Sequence, residues 1–157
     1  MLKIFTKRTN KLSKNEIIDI CKLKDTYWKH GLMSQITWFY KNVNKSDYNN
    51  MIFLNNKLIG YTLIRINNYE KKEKRKKLLL IDTVIVKKNL QKKGFGKILQ
   101  TYNNMVIKKT RLDAILVCKK RLVKFYKKMN WNKTNKNLYN INKNISISFV
   151  ILKFNKL

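Results

Sequence analysis

Proline is absent from this chain of 157 residues, and glycine occurs only four times. Without proline there is no proline-marked linker. Nothing else in the composition divides the chain, so one domain over residues 1–157 is expected. Only two cysteines, Cys21 and Cys118, are present, far apart. That excludes a disulfide framework and the paired spacing of a zinc site. No metal is expected, and a reducing, cytoplasmic setting is. No apolar run approaches the roughly 20 residues of a membrane-spanning helix. The opening MLKIFTKRTNKLSK lacks the apolar stretch of a secretory signal. Acidic residues are also scarce: 8 Asp+Glu stand against 37 Lys+Arg, a formal net charge of +29.

That charge has two readings. Taken at face value it is the footprint of a protein that meets polyanions, with salt weakening the attraction. The lysines are spread over nearly every segment, however, in a chain rich in Lys, Asn and Ile, which is what A/T-rich coding produces. The hydrophobic fraction is 44%, enough for a folded core and too high for a disordered chain.

The pattern along the chain alternates strands and helices. Leu2–Phe5 reads as a short strand. Ser13-Lys-Asn-Glu16 is a capping box, and Ile17, Ile20, Cys21 and Trp28 follow on roughly one helical face. Gly31 punctuates; Leu32, Ile36, Phe39 and Val43 then recur at helical spacing. In MIFLNNKLIGYTLIRI two apolar runs flank Asn55-Asn56, a hairpin signal because asparagine tolerates positive φ. KKEKRKK, Lys71–Lys77, reads as a solvated loop. LLLIDTVIV, Leu78–Val86, is continuous and apolar, as a strand buried on both faces should be. Ile98, Leu99, Tyr102, Met105 and Val106 mark a helix, and Asp113–Cys118 a second buried strand. Leu122, Phe125, Tyr126 and Met129 keep helical spacing up to Asn130, a residue able to close a helix in the left-handed conformation. Asn144–Phe154 reads as a closing strand, with another short strand near Lys136–Tyr139. The central strand–turn–helix–strand unit implies a parallel pair within a mixed sheet that carries helices on its faces.

Two of the four glycines fall in QKKGFG, Gln91–Gly96, between the strand Leu78–Val86 and a helix. Such a turn makes an anion site. The first turn of a helix has open N–H groups and the positive end of its dipole. Glycine lets the main chain approach a ligand with no Cβ in the way. Lys92, Lys93 and Lys97 add full charges. The pattern suits a phosphate or pyrophosphate, but it is neither a P-loop nor the dinucleotide fingerprint. A bland helix-opening turn is the alternative.

In this context VIVKKNLQKKGFGKIL, Val84–Leu99, resembles the signature of the GNAT superfamily of N-acetyltransferases, a strand followed by [QR]-x-x-G-x-[GA] at a helix start. Further on, FYKKMNW, Phe125–Trp131, resembles the family's F-Y-x-x-x-G-[FW] run. The resemblance spans roughly Met51–Trp131. It departs at Asn130, where glycine is usual, and at Lys119 or Lys120, where an asparagine is often found. It implies an α/β (α+β) fold with a mixed, mostly antiparallel central sheet, helices on both faces, and a parallel pair that splays. It implies acetyl-coenzyme A as the donor. The main chain of Val84, Ile85 and Val86 would pair with the pantetheine amides. The amides across Gln91, Lys92, Lys93, Gly94, Phe95, Gly96 and Lys97 would cradle the pyrophosphate.

The implied activity is N-acetyl transfer by direct attack of a primary amine on the thioester. The amine must be neutral, the oxyanion held and the leaving thiolate protonated. Tyr126 matches the family's tyrosine acid; core packing is the alternative. Asp82, the one carboxylate in the apolar run Leu78–Val86, is the candidate base, since burial would raise its pKa. It shares a face with Leu80 and Val84. A structural hydrogen bond or a grip on the substrate amine are its other readings. His30 falls in the region that borders the acceptor site in the family and is a second base candidate, with a surface or capping role as its alternative; Trp28, Gln35 and Trp38 there read as packing or as acceptor contacts. Cys118 reads as apolar filler.

Amino sugars and nucleotide-linked amino sugars are among the acceptors such an enzyme would take, and a basic protein favours an anionic acceptor over a polycation. The competing class is a basic nucleic-acid-binding module without catalysis, in which the glycine turn grips backbone phosphate and Tyr and Lys interleave near Lys124–Lys128. Monomer and homodimer are both open.

Overall fold

A computed structural model describes residues 1–71, 74–134 and 149–155. It contains the strands β1 (Leu2–Arg8), β2 (Tyr48–Leu54), β3 (Lys57–Lys71), β4 (Lys74–Val86), β5 (Asp113–Lys119), β6 (Trp131–Lys133) and β7 (Phe149–Phe154), and the helices α1 (Lys14–Asp25), α2 (Leu32–Asn42), α3 (Phe95–Thr110) and α4 (Val123–Lys127). The strands form one sheet in the order β1-β2-β3-β4-β5-β7-β6. Among the described residues only β4 and β5 run parallel; the other pairs are antiparallel.

Local chemistry sets many of the boundaries. The Ser13 side chain accepts the Glu16 N–H at 3.2 Å, and Glu16 accepts the Ser13 N–H at 2.8 Å, which closes the expected capping box on α1. Asn55 and Asn56 take φ values of 48° and 60°, both positive as a two-residue hairpin turn of this kind requires. Asn130 closes the α4 region at φ 66°. The strand expected near Lys136–Tyr139 lies outside the described residues, as does the 144–148 part of the closing strand.

Helices cover both faces of the sheet. Ile17, Ile20, Cys21 and Leu23 of α1 and Phe39 of α2 pack on Met51, Tyr61, Leu63 and Ile85. On the other face, Ile107 of α3 and Val123 and Tyr126 of α4 pack with Ile64, Leu79, Ile81, Leu116 and Trp131. A buried polar network crosses this second face. The Asn50 amide donates to Asn103 Oδ1 at 2.8 Å, and the Asn103 amide donates to Thr62 at 3.0 Å and Gln100 at 3.1 Å. Each satisfied bond of this sort contributes about 1 kcal/mol, whereas a lone buried amide would cost more than that.

Three expectations change. First, α3 buries Leu99, Gln100, Asn103 and Ile107, while Ile98 and Met105 are exposed. The helix turns its amides inward because the sheet supplies partners for them; hydrophobicity alone selects a neighbouring face. Second, Lys71 and Lys74–Lys77 are strand and not loop: β3 and β4 stay paired out to Lys71↔Lys74. Charged side chains do not stop the ribbon, because the main-chain pairing of β3 with β4 carries it on. Third, β4 does not alternate regularly. Leu63 pairs with Thr83 and Ile64 with Ile81, so Asp82 is the extra residue of a β-bulge.

Candidate active site

β4 and β5 pair only from Leu78↔Asp113 to Ile81↔Leu116. Beyond that point β4 continues through Val86 against β3, and among the described residues no strand pairs with its other edge. The Lys87 N–H donates to the Ile59 carbonyl at 2.7 Å. That bond makes Gly60–Val86 a non-hydrogen-bonded pair, and Thr62–Val84 another. The peptide groups of Val84 and Val86 therefore point away from β3, into the gap between β4 and β5. Those of Ile85 belong to the β3 ladder, and its side chain packs under α1. Ile85 is thus not placed to offer its main chain, unlike the two valines. The Val86 carbonyl accepts from the Tyr27 hydroxyl, which in turn accepts from the Gln91 amide. This chain ties the end of α1 to the start of the glycine turn.

The turn itself opens to solvent. Gln91, Lys92, Lys93 and Gly94 are exposed, and Phe95 and Gly96 are partly so. Lys92 and Gly94 are both left-handed, at φ 60° and 85°. α3 starts at Phe95, and its first closing bonds run from the Lys97 and Ile98 N–H groups to the Gly94 carbonyl at 3.0 and 3.1 Å. The amides ahead of them are those a helix start leaves without an internal partner. A Cβ built on Gly94 or Gly96 meets nothing within 4 Å. Open amides, an unfilled cradle and three exposed lysines, Lys92, Lys93 and Lys97, suit a diphosphate. The left-handed residue Lys92 is invisible to a glycine count.

On the α1–α2 face a cleft of about 450 Å³ is lined by Lys24, Trp28, His30, Ser34, Gln35, Trp38, Asp82 and Thr83. The bulge explains why two consecutive residues of β4, Asp82 and Thr83, reach the same cleft. It also puts Val84 on the α3 side with Val86, away from Asp82. The expected burial of Asp82 is absent: its side chain is 31% exposed and lies 3.5 Å from Arg65 Nη1. The Gln35 amide donates to the Trp28 carbonyl at 2.7 Å, and Gly31 N–H to Asp25 Oδ1 at 2.8 Å, which fixes the loop that carries His30.

Lys24 is the residue that sequence reading missed. It is 5% exposed, and its Nζ sits 3.9 Å from the Trp38 ring centroid. Burial pulls its ammonium below the ordinary lysine value, while Cys21 and Asp82 pull it back up. The one sequence signal was helical phase: Lys24 follows Ile17, Ile20 and Cys21 on the α1 face that turns inward.

Tyr126 lies in the core near the end of β5, its ring edge-on to Phe125 and Trp131 at centroid distances of 5.0 and 6.4 Å. Burial, with the neighbouring Cys118, pushes its phenol well above the usual tyrosine range, so it holds its proton. Among the described residues nothing hydrogen-bonds its hydroxyl. Burial likewise pushes the Cys118 thiol up to about 11. Lys119 and Lys120 are exposed where β5 ends. Among the described residues, no three His, Cys, Asp or Glu side chains come together as metal ligands, and no helix is long and apolar enough to cross a membrane.

A family model described as the Acetyltransferase (GNAT) family matches residues 15–131. No curated protein matches the sequence. Solved structures do match. ElaA of Escherichia coli is similar at a TM-score of 0.73 and 12% identity, over 99% of this chain and 100% of that one. The ribosomal-protein-S18-alanine N-acetyltransferase of Escherichia coli follows at 0.69 and 12%, over 98% and 93%. The paia N-acetyltransferase of Thermoplasma acidophilum, in complex with coenzyme A, is similar at 0.59 and 16%, over 98% and 99%. At these identities the likeness shows the fold, that of the GNAT acyl-CoA N-acyltransferases.

Proposed function

Because the chain belongs to the GNAT acetyltransferase family, we propose that it moves an acetyl group from acetyl-coenzyme A to a primary amine by direct attack. The observation that carries this is the parting of β4 from β5 beside the open glycine turn. The peptide groups of Val84 and Val86 would hold the pantetheine, and the amides from Lys92 to Lys97 the diphosphate, with Lys92, Lys93 and Lys97 adding charge.

The acceptor amine enters from the cleft of Lys24, His30 and Asp82. Asp82, steadied by Arg65, orients the neutral amine and takes the proton its nitrogen sheds as the C–N bond forms. The nitrogen attacks the thioester carbonyl, a C–N bond forms and the C–S bond breaks. Tyr126, protonated at neutral pH as a phenol ordinarily is, gives its proton to the departing thiolate. A covalent route through Cys118 is disfavoured, because a buried thiol titrating at about 11 is little ionised at neutral pH.

The test is thermal melting with acetyl-coenzyme A, followed by release of free thiol across a panel of amines. A ligand at 100 times its Kd stabilises by about 2.7 kcal/mol, so the melting temperature should rise; no shift at millimolar donor counts against the site. Retention of coenzyme A at moderate salt, set against steep loss of any bound DNA, separates this reading from polyanion binding.

A further inference from the structure

We propose that the acceptor carries an anionic group beside its amine and that Lys24 selects it; this rests on the acetyltransferase reading. Lysine is seldom buried without a partner, because desolvating an ammonium is costly unless an anion offsets it. Lys24 is 5% exposed. None of the carboxylates in the ion pairs of the described residues, Glu16, Asp82 and Asp113, pairs with it. Its contact is the face of Trp38, and it lines the cleft. An ammonium at the end of a nearly buried side chain, held on an aromatic face and opening to the cleft, is the complement of a ligand anion.

Charge balance points the same way. Among the residues lining the cleft, Asp82 supplies the carboxylate and Lys24 the ammonium, and Arg65, outside that lining, already pairs with Asp82 at 3.5 Å. A polyamine meets a site that is net positive, where like charges cost affinity. A molecule with an amine at one end and an anion at the other satisfies both ends: the amine toward Asp82, the anion toward Lys24. Trp28 and Trp38, 43% and 37% exposed, supply apolar walls for the body between. Lys24 is a specificity residue in this scheme and takes no part in the chemistry.

The test uses the full chain and reads binding without turnover, by quenching of Trp28 and Trp38 fluorescence; Trp131 is buried and serves as background. Two matched pairs separate the sources of the anion: glucosamine 6-phosphate against glucosamine, and amino acids against their amides. Spermidine stands for simple cations. In at least one pair the anionic member should bind about tenfold tighter or more. Lys24→Met, which keeps the packing on Trp38, should erase that preference by weakening the anion-bearing member, with coenzyme A binding kept. Lys24→Arg should restore it. Equal binding within both pairs, no binding by any probe, tightest binding by spermidine, or a preference that survives Lys24→Met overturns the proposal. Thiol release is followed separately: preference without transfer overturns the acetyltransferase reading alone, and transfer without preference overturns this inference alone.

Discussion

Ile81 of β4 pairs with Leu116 of β5, and the two strands part after them. The next residue of β4, Asp82, is the bulge against β3. One irregularity therefore coincides with both halves of the site. Past it, Val84 and Val86 present peptide groups to the gap; at it, Asp82 and Thr83 turn into the cleft. A regular β4 would place one of those two residues on the opposite face.

The two glycines of the turn should respond differently to substitution. Gly94 is left-handed at φ 85°, so Gly94→Val is strained whatever space surrounds it. Gly96 lies in α3 with open space where a Cβ would go. Gly96→Ala should raise the melting temperature of the free protein, since the exchange favours helix by up to about 1 kcal/mol. It should weaken coenzyme A binding, because the methyl enters the cradle. Calorimetric titration beside thermal melting checks both signs; unchanged donor affinity would remove Gly96 from the site.

Tyr126→Phe keeps the ring between Phe125 and Trp131 and removes a hydroxyl that no described residue hydrogen-bonds. Stability should hardly change. Turnover should fall by about 10²-fold or more if the phenol is the acid, with donor Kd within twofold. Steady-state kinetics and donor titration together decide; a fall in neither assigns the proton to another group.

Asp82→Asn should lower kcat while leaving coenzyme A affinity intact. The stability cost should stay within about 1 kcal/mol, because the pair with Arg65 is partly exposed. Urea unfolding checks the second half. A large loss of stability would make Asp82 a structural anchor and not the base.

Alkali should destabilise the fold. Burial pushes Cys21 and Cys118 up to about 11 from an ordinary value of 9.0, Lys24 opposing the rise at Cys21. Tyr61 and Tyr126 are raised by burial as well. A folded-state pKa above the unfolded one means stability that is whole below pH 9 and is lost as pH climbs through 11. Lys24 works against this trend, its ammonium being lowered by burial. The melting temperature should fall between pH 9 and 11, and neither thiol should react with a disulfide reagent at pH 8 until the chain is unfolded. Ready labelling of the folded protein would contradict the burial.

Much of this was legible because it is local. The Ser13–Glu16 box, the Asn55–Asn56 turn, the closure at Asn130 and the glycine turn before α3 each involve residues a few positions apart, and each holds in the structure. What failed depended on partners far along the chain. α3 buries Asn103 because Asn50 and Thr62 hydrogen-bond it across 53 and 41 positions. Asp82 turns outward because β3 skips it. The ribbon through Lys71 and Lys74 persists because it continues a hairpin already formed.

The order of residues by itself determined the alternation of strands and helices, the helix caps, the glycine turn ahead of α3, and so the family resemblance. Those properties follow from φ preferences and hydrophobic period, which act within a few residues. Only the tertiary structure decided where β4 leaves β5, which β4 peptides point into the gap, and that Lys24 meets Trp38 and Asp82 in one cleft. Those depend on strand register and helix docking, where a shift of one residue reverses the face a side chain occupies.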